Sequence, residues 1–196
     1  MRFALLQKEL AEKLYFTSGE VSGILGITPE SGRVLCSRYV ERGLFLRLKR
    51  DFYVLEQNWP RLTREELMKI ANILQVPSYV SFISALSFYE VTTQVQQNFF
   101  ENACLKRSRK VDVGGVNFNF YKLDRRYYFN FVKREDIFIA TKEKAFIDSI
   151  YLYSFGKYRL DFNALDLDKL DRAEVKRIAK VFPERTAKLA KKLCGT

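Results

Sequence analysis

The 196-residue sequence contains no histidine. Without an imidazole, the chain cannot form a Ser-His or Cys-His nucleophile, a His-ligated zinc site or a phosphohistidine. An enzyme built from this chain would depend on carboxylate, lysine or tyrosine chemistry. Several common catalytic and metal-binding sites are therefore excluded from the start.

Cysteines and long apolar runs are also scarce. Cys36, Cys104 and Cys194 are odd in number and widely spaced, which favours neither a disulfide framework nor a Cys-x-x-Cys metal site. We interpret them as small buried apolar side chains. No apolar run approaches the roughly 20 residues of a membrane-spanning helix, and the start of the chain becomes charged before a signal-peptide core could form. We expect a cytoplasmic protein that does not contact a membrane.

Apolar residues and positive charge are abundant. The sequence is 47% apolar and 29% charged, which favours a folded protein over a disordered one. Its 34 Lys and Arg residues exceed its 23 Asp and Glu residues, giving a net charge of +11. Such an excess favours a polyanionic partner, either nucleic acid or an acidic protein surface.

Local signals predict three helices near the start of the chain. Apolar residues at helical spacing place the first over residues 2–13. Thr17 and Glu20 have the spacing of a capping box for a second helix. Thr28 is the predicted cap of the third helix, which stops at Gly43.

A basic hairpin is predicted directly after the third helix. Residues 44–48 and 52–55 have the composition of strands, and the polar residues 49–51 form the turn between them. Three helices followed by a hairpin is the order of a winged helix. We therefore assign residues 1–58 to a winged helix-turn-helix DNA-binding domain.

The third helix and the hairpin supply a candidate DNA interface. A helical wheel turns Gly32, Leu35 and Cys36 toward the core, and a polar, arginine-flanked face points away. Arginine and serine can bind base edges or phosphates, and a valine methyl can contact thymine. A solvated helix face is the alternative interpretation. The predicted DNA-binding residues are Glu30, Ser31, Arg33, Val34, Ser37 and Arg38 on the helix and Arg47, Lys49 and Arg50 on the hairpin.

A second domain is predicted over residues 61–196. Its boundary is the polar, proline-containing bridge at residues 56–60. A capping box at Thr63 opens a helix, and the strongly apolar residues 79–89 have the spacing of a buried helix. Later helices are expected to start at Thr141, Asp171 and Pro183.

Between these helices, the apolar period changes to two. Gly114 and Gly115 suit a two-residue hairpin loop. Because the runs are short and separated by turns, they predict a small antiparallel sheet, and the whole chain is expected to be α+β. The predicted strands lie within residues 100–105, 111–113, 116–120, 127–131 and 137–139.

Most of the positive charge lies in the second domain. Residues 1–60 hold nine cations and seven acids, which leaves 25 cations and 16 acids for the rest of the chain. The cations cluster at turns between strands. They suit a docking surface for an acidic partner, a second DNA contact or a solvated sheet edge. The predicted partner-binding residues are Lys106, Arg107, Arg109, Lys110, Arg125 and Arg126.

The remaining polar residues give little support to catalysis. The aspartates near residue 166 lack the glycine and terminal glutamate of a calcium loop, so we interpret them as caps and turn residues. Lys144, beside Glu143, is interpreted as part of an ion pair. We expect no enzyme, no cofactor and no metal site, with a nuclease as the enzymatic alternative.

Two segments of the second domain resemble a known family. Ser78-Tyr79-Val80-Ser81 with Ser84-Ala85-Leu86, and the run from Ile139 to Asp148, are similar to the two signature segments of the AbiEi family of type IV antitoxins. The resemblance spans nearly the whole chain. It implies an N-terminal winged helix and a C-terminal α+β antitoxin domain.

The resemblance also implies two functions. The winged helix would repress its own operon by binding inverted repeats in double-stranded operator DNA, and the C-terminal domain would counteract a cognate nucleotidyltransferase-like toxin. DNA binding is also expected from the residues themselves, whereas antitoxin activity rests on the resemblance alone. The alternative is a one-component transcriptional regulator whose C-terminal domain binds a small ligand through some of its 11 tyrosines and 17 phenylalanines.

Overall fold

The computed structural model describes residues 2–94 and 97–195. The chain divides into two compact units. The first comprises residues up to 70 together with 113–115, and the second comprises residues 71–112 and those from 116 onward. Both helices and strands are present in each unit, so the α+β class is confirmed.

The first unit contains the predicted three helices followed by an antiparallel hairpin. Its elements are α1 (Arg2–Glu9), α2 (Ser18–Leu25), α3 (Pro29–Glu41), β1 (Phe45–Lys49) and β2 (Phe52–Leu55). Helix α1 ends four residues earlier than predicted because the chain turns after Glu9, where the Lys13 N–H donates to the Leu10 carbonyl at 3.1 Å.

Capping explains why α2 and α3 begin where they do. Thr17 and Glu20 make both bonds of the predicted capping box at α2. The Thr28 side chain accepts from the Ser31 N–H at 3.2 Å, which caps α3 as predicted. Gly32 allows the two helices to approach closely, since a Cβ there would lie 2.0 Å from Ser22 Oγ.

The first unit has its own apolar core, and the hairpin is fastened to it. Phe16 forms an antiparallel bridge to Tyr53, a pairing that the sequence pattern did not predict. At the hairpin turn, the Asp51 carboxylate accepts from the Ser18 N–H at 3.1 Å and from the Ser18 hydroxyl. The hairpin tip is thereby held at the start of α2. The core consists of Leu6, Leu10, Phe16, Val21, Cys36, Tyr39, Phe45, Tyr53 and Leu55.

The second unit is a six-stranded sheet with helices. Helix α4 (Arg64–Leu74) crosses the division between the units. The strands, in chain order, are β3 (Ser78–Val80), β4 (Phe99–Cys104), β5 (Arg109–Val113), β6 (Val116–Lys122), β7 (Phe131–Arg134) and β8 (Ile137–Ala140). The helices are α5 (Phe82–Phe88), α6 (Lys142–Ser154), α7 (Arg172–Ala179) and α8 (Glu184–Cys194).

The sheet is mixed, so the prediction of a small antiparallel sheet was wrong. Its order is β5-β6-β4-β3-β8-β7, with β4 parallel to β6 and β3 parallel to β8. The predicted hairpin turn at Gly114 and Gly115 joins the neighbouring strands β5 and β6. The alternating pattern identified most strands but carried no information about which distant strands would pair.

Two predicted elements have different bounds in the structure. The predicted helix over residues 79–89 begins as strand β3 and becomes helical only at Phe82, whose φ of 53° marks the break. A short apolar run is compatible with a buried strand or a buried helix, which explains the error. A strand was also predicted over residues 127–131. In the structure, Tyr127 is instead the last residue of a 3-10 helix, and strand β7 starts only at Phe131.

The later helices begin at the predicted caps. Thr141 caps α6, Asp171 caps α7 and Pro183 precedes α8. Cys36, Cys104 and Cys194 are buried and unpaired, as expected. Over the described residues, no helix combines the length and apolar character needed to cross a membrane.

Candidate functional site

The outward face of α3 carries the residues predicted to contact DNA. Glu30, Ser31, Arg33, Val34 and Arg38 are exposed, and Ser37 is half-buried. Val34 is 51% exposed, although Gly32 and Cys36 on the same helix are buried. The helix therefore presents a polar, arginine-bearing face with one apolar side chain to solvent.

A side-chain contact joins the hairpin to this face. Arg47 on β1 donates from Nη2 to Ser37 Oγ at 3.1 Å, and its guanidinium lies 5.6 Å from the Tyr53 ring centroid. Lys49 Nζ lies 4.3 Å from the centroid of the Phe52 ring. The structure thus brings α3 and the hairpin cations together in one unit.

The electrostatics of this surface favour an anionic ligand. Glu30 Oε1 lies 3.7 Å from Arg33 Nη1 in an exposed pair, and Glu41 is exposed at the end of α3. Exposed pairs of this kind are weak and exchange readily for a ligand contact. Arg38 and Arg50 are both exposed to solvent. Arginine, serine and a valine methyl on a helix are the groups that contact base edges in a major groove.

The predicted basic residues of the second unit lie at one end of its sheet. Strands β4 and β6 are parallel, with Cys104 opposite Lys122, so the turns that follow them lie at the same end. The Lys122 N–H donates to Ser108 Oγ at 2.8 Å, which ties the end of β6 to the turn after β4. Lys106, Arg107, Lys110, Arg125 and Arg126 are exposed there. We call these five residues the basic rim.

Arg109 was predicted to belong to the same surface but is held by the fold. Its Nη2 donates to the Leu74 carbonyl at 2.6 Å, and its guanidinium lies 5.6 Å from the Phe120 ring centroid. The side chain is half-buried, unlike those of the basic rim. Its contacts stabilise the second unit.

Lys144 lies in a fully buried polar cluster. Lys144 and Asp148 form an ion pair in which both side chains are 0% exposed. Lys144 Nζ also donates to the Tyr79 hydroxyl at 2.8 Å, and Tyr79 and Ser81 donate to Asp148 Oδ2 at 3.0 and 2.8 Å. The predicted ion pair exists, but its partner is Asp148 rather than Glu143.

Burial sets the electrostatics of this cluster. It lowers the pKa of Lys144 and raises that of Asp148, and the attraction between the two groups opposes both changes. The ammonium also lies 5.3 Å from the ring centroids of Tyr79 and Phe182. Because its polar groups bond to one another and are closed to solvent, we interpret the cluster as part of the folded core.

A second buried acid was not predicted from the sequence. Glu101 on β4 is 2% exposed and accepts hydrogen bonds from Tyr121 at 3.1 Å and Tyr158 at 2.5 Å. Burial raises its pKa to about 7, while the two tyrosine hydrogen bonds act in the opposite direction. The sequence signal was an acid inside a mainly apolar strand.

The aspartates near residue 166 act in turns and caps where the structure describes their contacts. Asp161 accepts from the Asn163 N–H at 3.0 Å, and Asp171 accepts from the Ala173 N–H at 2.8 Å. Over residues 2–94 and 97–195, no group of three His, Cys, Asp or Glu residues is placed to hold a metal ion.

Comparison with known proteins establishes a shared fold. No protein-family model matches the chain, and no curated protein sequence matches it. Among solved structures, the chain is similar to the Rv2827c protein from Mycobacterium tuberculosis, with a TM-score of 0.66 and 10% sequence identity. The alignment covers 99% of this chain and 76% of that one. The chain therefore resembles that protein in its α+β architecture. In this architecture, N-terminal helices and a hairpin are followed by a mixed sheet and further helices.

Proposed function

We propose that this protein is a cytoplasmic winged-helix transcriptional autorepressor that binds inverted repeats in double-stranded operator DNA. The observation that carries the proposal is the exposed arginine-bearing face of α3, joined to the basic hairpin by the Arg47–Ser37 hydrogen bond. A helix and an adjacent hairpin held in fixed relation can contact a groove and the neighbouring backbone together.

Each part of this surface has a distinct expected task. Arg33 and Arg38 reach base edges or phosphates from α3, and Val34 contacts a thymine methyl. Lys49 and Arg50 on the hairpin contact the DNA backbone, which holds the helix in register without reading sequence. Asp51 supports this task by fastening the hairpin turn to Ser18.

Gel shifts with DNA from upstream of the protein's own gene test the assignment. Arg33→Ala and Arg38→Ala should each cost about 1 to 3 kcal/mol of binding free energy where the arginine reads a base, and should relax sequence preference. Lys49→Ala and Arg50→Ala should weaken binding to all sequences alike. Lys176→Ala on α7 with Lys180→Ala directly after it, both exposed, is the control. Unchanged binding by the α3 variants would refute the proposal.

The second half of the proposal is that the C-terminal domain is an antitoxin against a cognate nucleotidyltransferase-like toxin. It is supported by the resemblance of Ser78-Tyr79-Val80-Ser81 and of the run from Ile139 to Asp148 to the AbiEi signatures. These segments meet in the buried Lys144 cluster, so they maintain the fold rather than contact a partner. We assign toxin recognition to the basic rim, because exposed cations can steer an acidic partner.

Co-expression with the neighbouring toxin gene tests this half. Lys106→Glu with Arg107→Glu and Lys110→Glu should abolish rescue of growth while repression persists, since exposed charges contribute little to stability. Arg109 is left unchanged because its contacts stabilise the fold. A charge-reversed, folded protein that still rescues growth would show that the basic rim is a solvated sheet edge.

A further inference from the structure

Two adjoining clefts open on the surface of the second unit. The larger, of about 610 Å³, lies between the end of α6 and α8. The smaller, of about 360 Å³, shares Gly156 and Tyr158 with it and also reaches Lys157, Arg159 and the buried Glu101. The larger cleft falls within the roughly 300–1,000 Å³ typical of small-ligand sites.

The larger cleft is strongly cationic. Arg185, Lys188 and Lys192 line it from α8, where their spacing places them on one helix face. None of the described residues that line this cleft is acidic. Glu184 pairs with Lys188 at 2.9 Å, but both side chains are at least 75% exposed, so the pair leaves the ammonium accessible to an anion.

Tyrosines form the opposite wall. Tyr153 is 39% exposed, and its ring packs edge-on against Phe162 with centroids 4.9 Å apart. Tyr158 is held by its 2.5 Å hydrogen bond to Glu101 and by the Phe82 ring, whose centroid lies 5.5 Å away. The wall is therefore fixed before any ligand arrives.

We propose that the larger cleft binds a mononucleotide. Its polyphosphate would contact Arg185, Lys188 and Lys192, since arginine and lysine are the side chains that bind phosphate oxygens. Its base would stack on the exposed Tyr153 ring, a contact that accepts any base. The site goes beyond the proposed DNA binding and lies on elements that the α3 surface does not use.

Calorimetric titration of the full chain with ATP, inorganic triphosphate and adenosine tests the site. ATP should bind more tightly than either of the other two, because only ATP uses both walls. Arg185→Gln with Lys188→Gln and Lys192→Gln should weaken ATP binding about tenfold for each cation that contacts a phosphate. The control replaces Lys176, Lys180 and Lys191 with Gln, removes the same charge outside the cleft, and should leave ATP binding unchanged.

The tyrosine wall has its own test. Tyr153→Ala should weaken ATP binding and leave triphosphate binding unchanged, whereas Tyr153→Phe should retain both. Absence of ATP binding to the unmodified chain at millimolar concentration would overturn the proposal. An equal loss of ATP affinity in the cleft variant and in the control variant at Lys176, Lys180 and Lys191 would also overturn it. Equal affinities for ATP and triphosphate, or binding of a short single-stranded oligonucleotide in place of ATP, would overturn the mononucleotide assignment. Operator binding is measured separately, so failure here leaves the proposed repressor function standing.

Discussion

The α3 surface and the Lys144 cluster use the same kind of charge in opposite ways. Arg33 and Arg38 lie in water on α3, and Arg33 has only an exposed partner 3.7 Å away. Lys144 is fully buried and bound by Asp148 and Tyr79. The exposed cations are available to a ligand, whereas the buried one is committed to the fold. Burial and partners, rather than residue type, therefore separate the cations that a ligand can reach from those that the fold uses.

Breaking the buried pair should have the largest effect on stability. Lys144→Met leaves Asp148 without its counter-ion and should lower the free energy of unfolding by about 3–5 kcal/mol. Urea titration followed by circular dichroism measures this. Lys144→Met with Asp148→Asn removes the stranded charge and should recover part of the loss. The exposed Lys176→Met is the control, and an equal effect there would remove the distinction between the two regions.

Glu101 extends the comparison to a buried acid. Its pKa is raised from 4.5 to about 7, so the folded state holds the proton more tightly than the unfolded state. The stabilisation is complete below about pH 4.5 and is lost as the pH rises through about 7, a difference of about 3 kcal/mol. No histidine titrates in this window. Urea titrations at several pH values give the free energy of unfolding of the unmodified chain and of Glu101→Gln. The unmodified chain should lose stability between about pH 4.5 and 7 more steeply than the variant, and the same pH dependence for both would contradict the assignment.

A closely packed glycine on α3 can be compared with a glycine on α2 that has open space beside it. In Gly32→Ala, the new methyl would lie 2.0 Å from Ser22 Oγ and 2.9 Å from the Ser18 carbonyl, so the helices must separate. The expected cost is about 1–3 kcal/mol of unfolding free energy. Gly23→Ala, with nothing within 4 Å of the added Cβ, should not lower stability. Equal thermal unfolding midpoints for the two variants would show that α2 and α3 are less closely packed than the structure indicates.

Arg109 and Lys110 sharpen the comparison between neighbouring cations. Arg109→Ala loses the hydrogen bond to the Leu74 carbonyl and should cost about 1–2 kcal/mol of stability. The exposed Lys110→Ala should change stability by less than about 0.5 kcal/mol. Chemical denaturation of both variants measures the difference. Similar values would place Arg109 on the solvated surface with the basic rim.

The first unit was the more predictable because its signals are local. The Thr17 and Glu20 capping box, the Thr28 cap and the stop at Gly43 each act within a few residues. These signals define α2 and α3, and the wheel then separates the inner and outer faces of α3. The Phe16–Tyr53 bridge joins segments far apart in the chain, so no local pattern reports it.

The second unit depends on contacts between distant segments. The pairing of Val80 with Ile139 in parallel strands could not follow from either segment alone. Lys144 and Asp148 are four residues apart, a spacing that identifies a helical ion pair, but their complete burial is set by the surrounding fold. Glu101 carries no motif, and its two tyrosine partners come from other parts of the chain.

The central claim is that the cations of α3 and the hairpin bind DNA, and the salt dependence of operator binding tests it most directly. The unmodified chain and a variant with Arg33, Arg38, Lys49 and Arg50 changed to Ala would be titrated against upstream DNA over a range of salt concentrations. The variant should bind more weakly, with a slope of log affinity against log salt reduced by about 0.9 for each lost phosphate contact. Equal affinity and equal slope for two folded proteins would contradict the account.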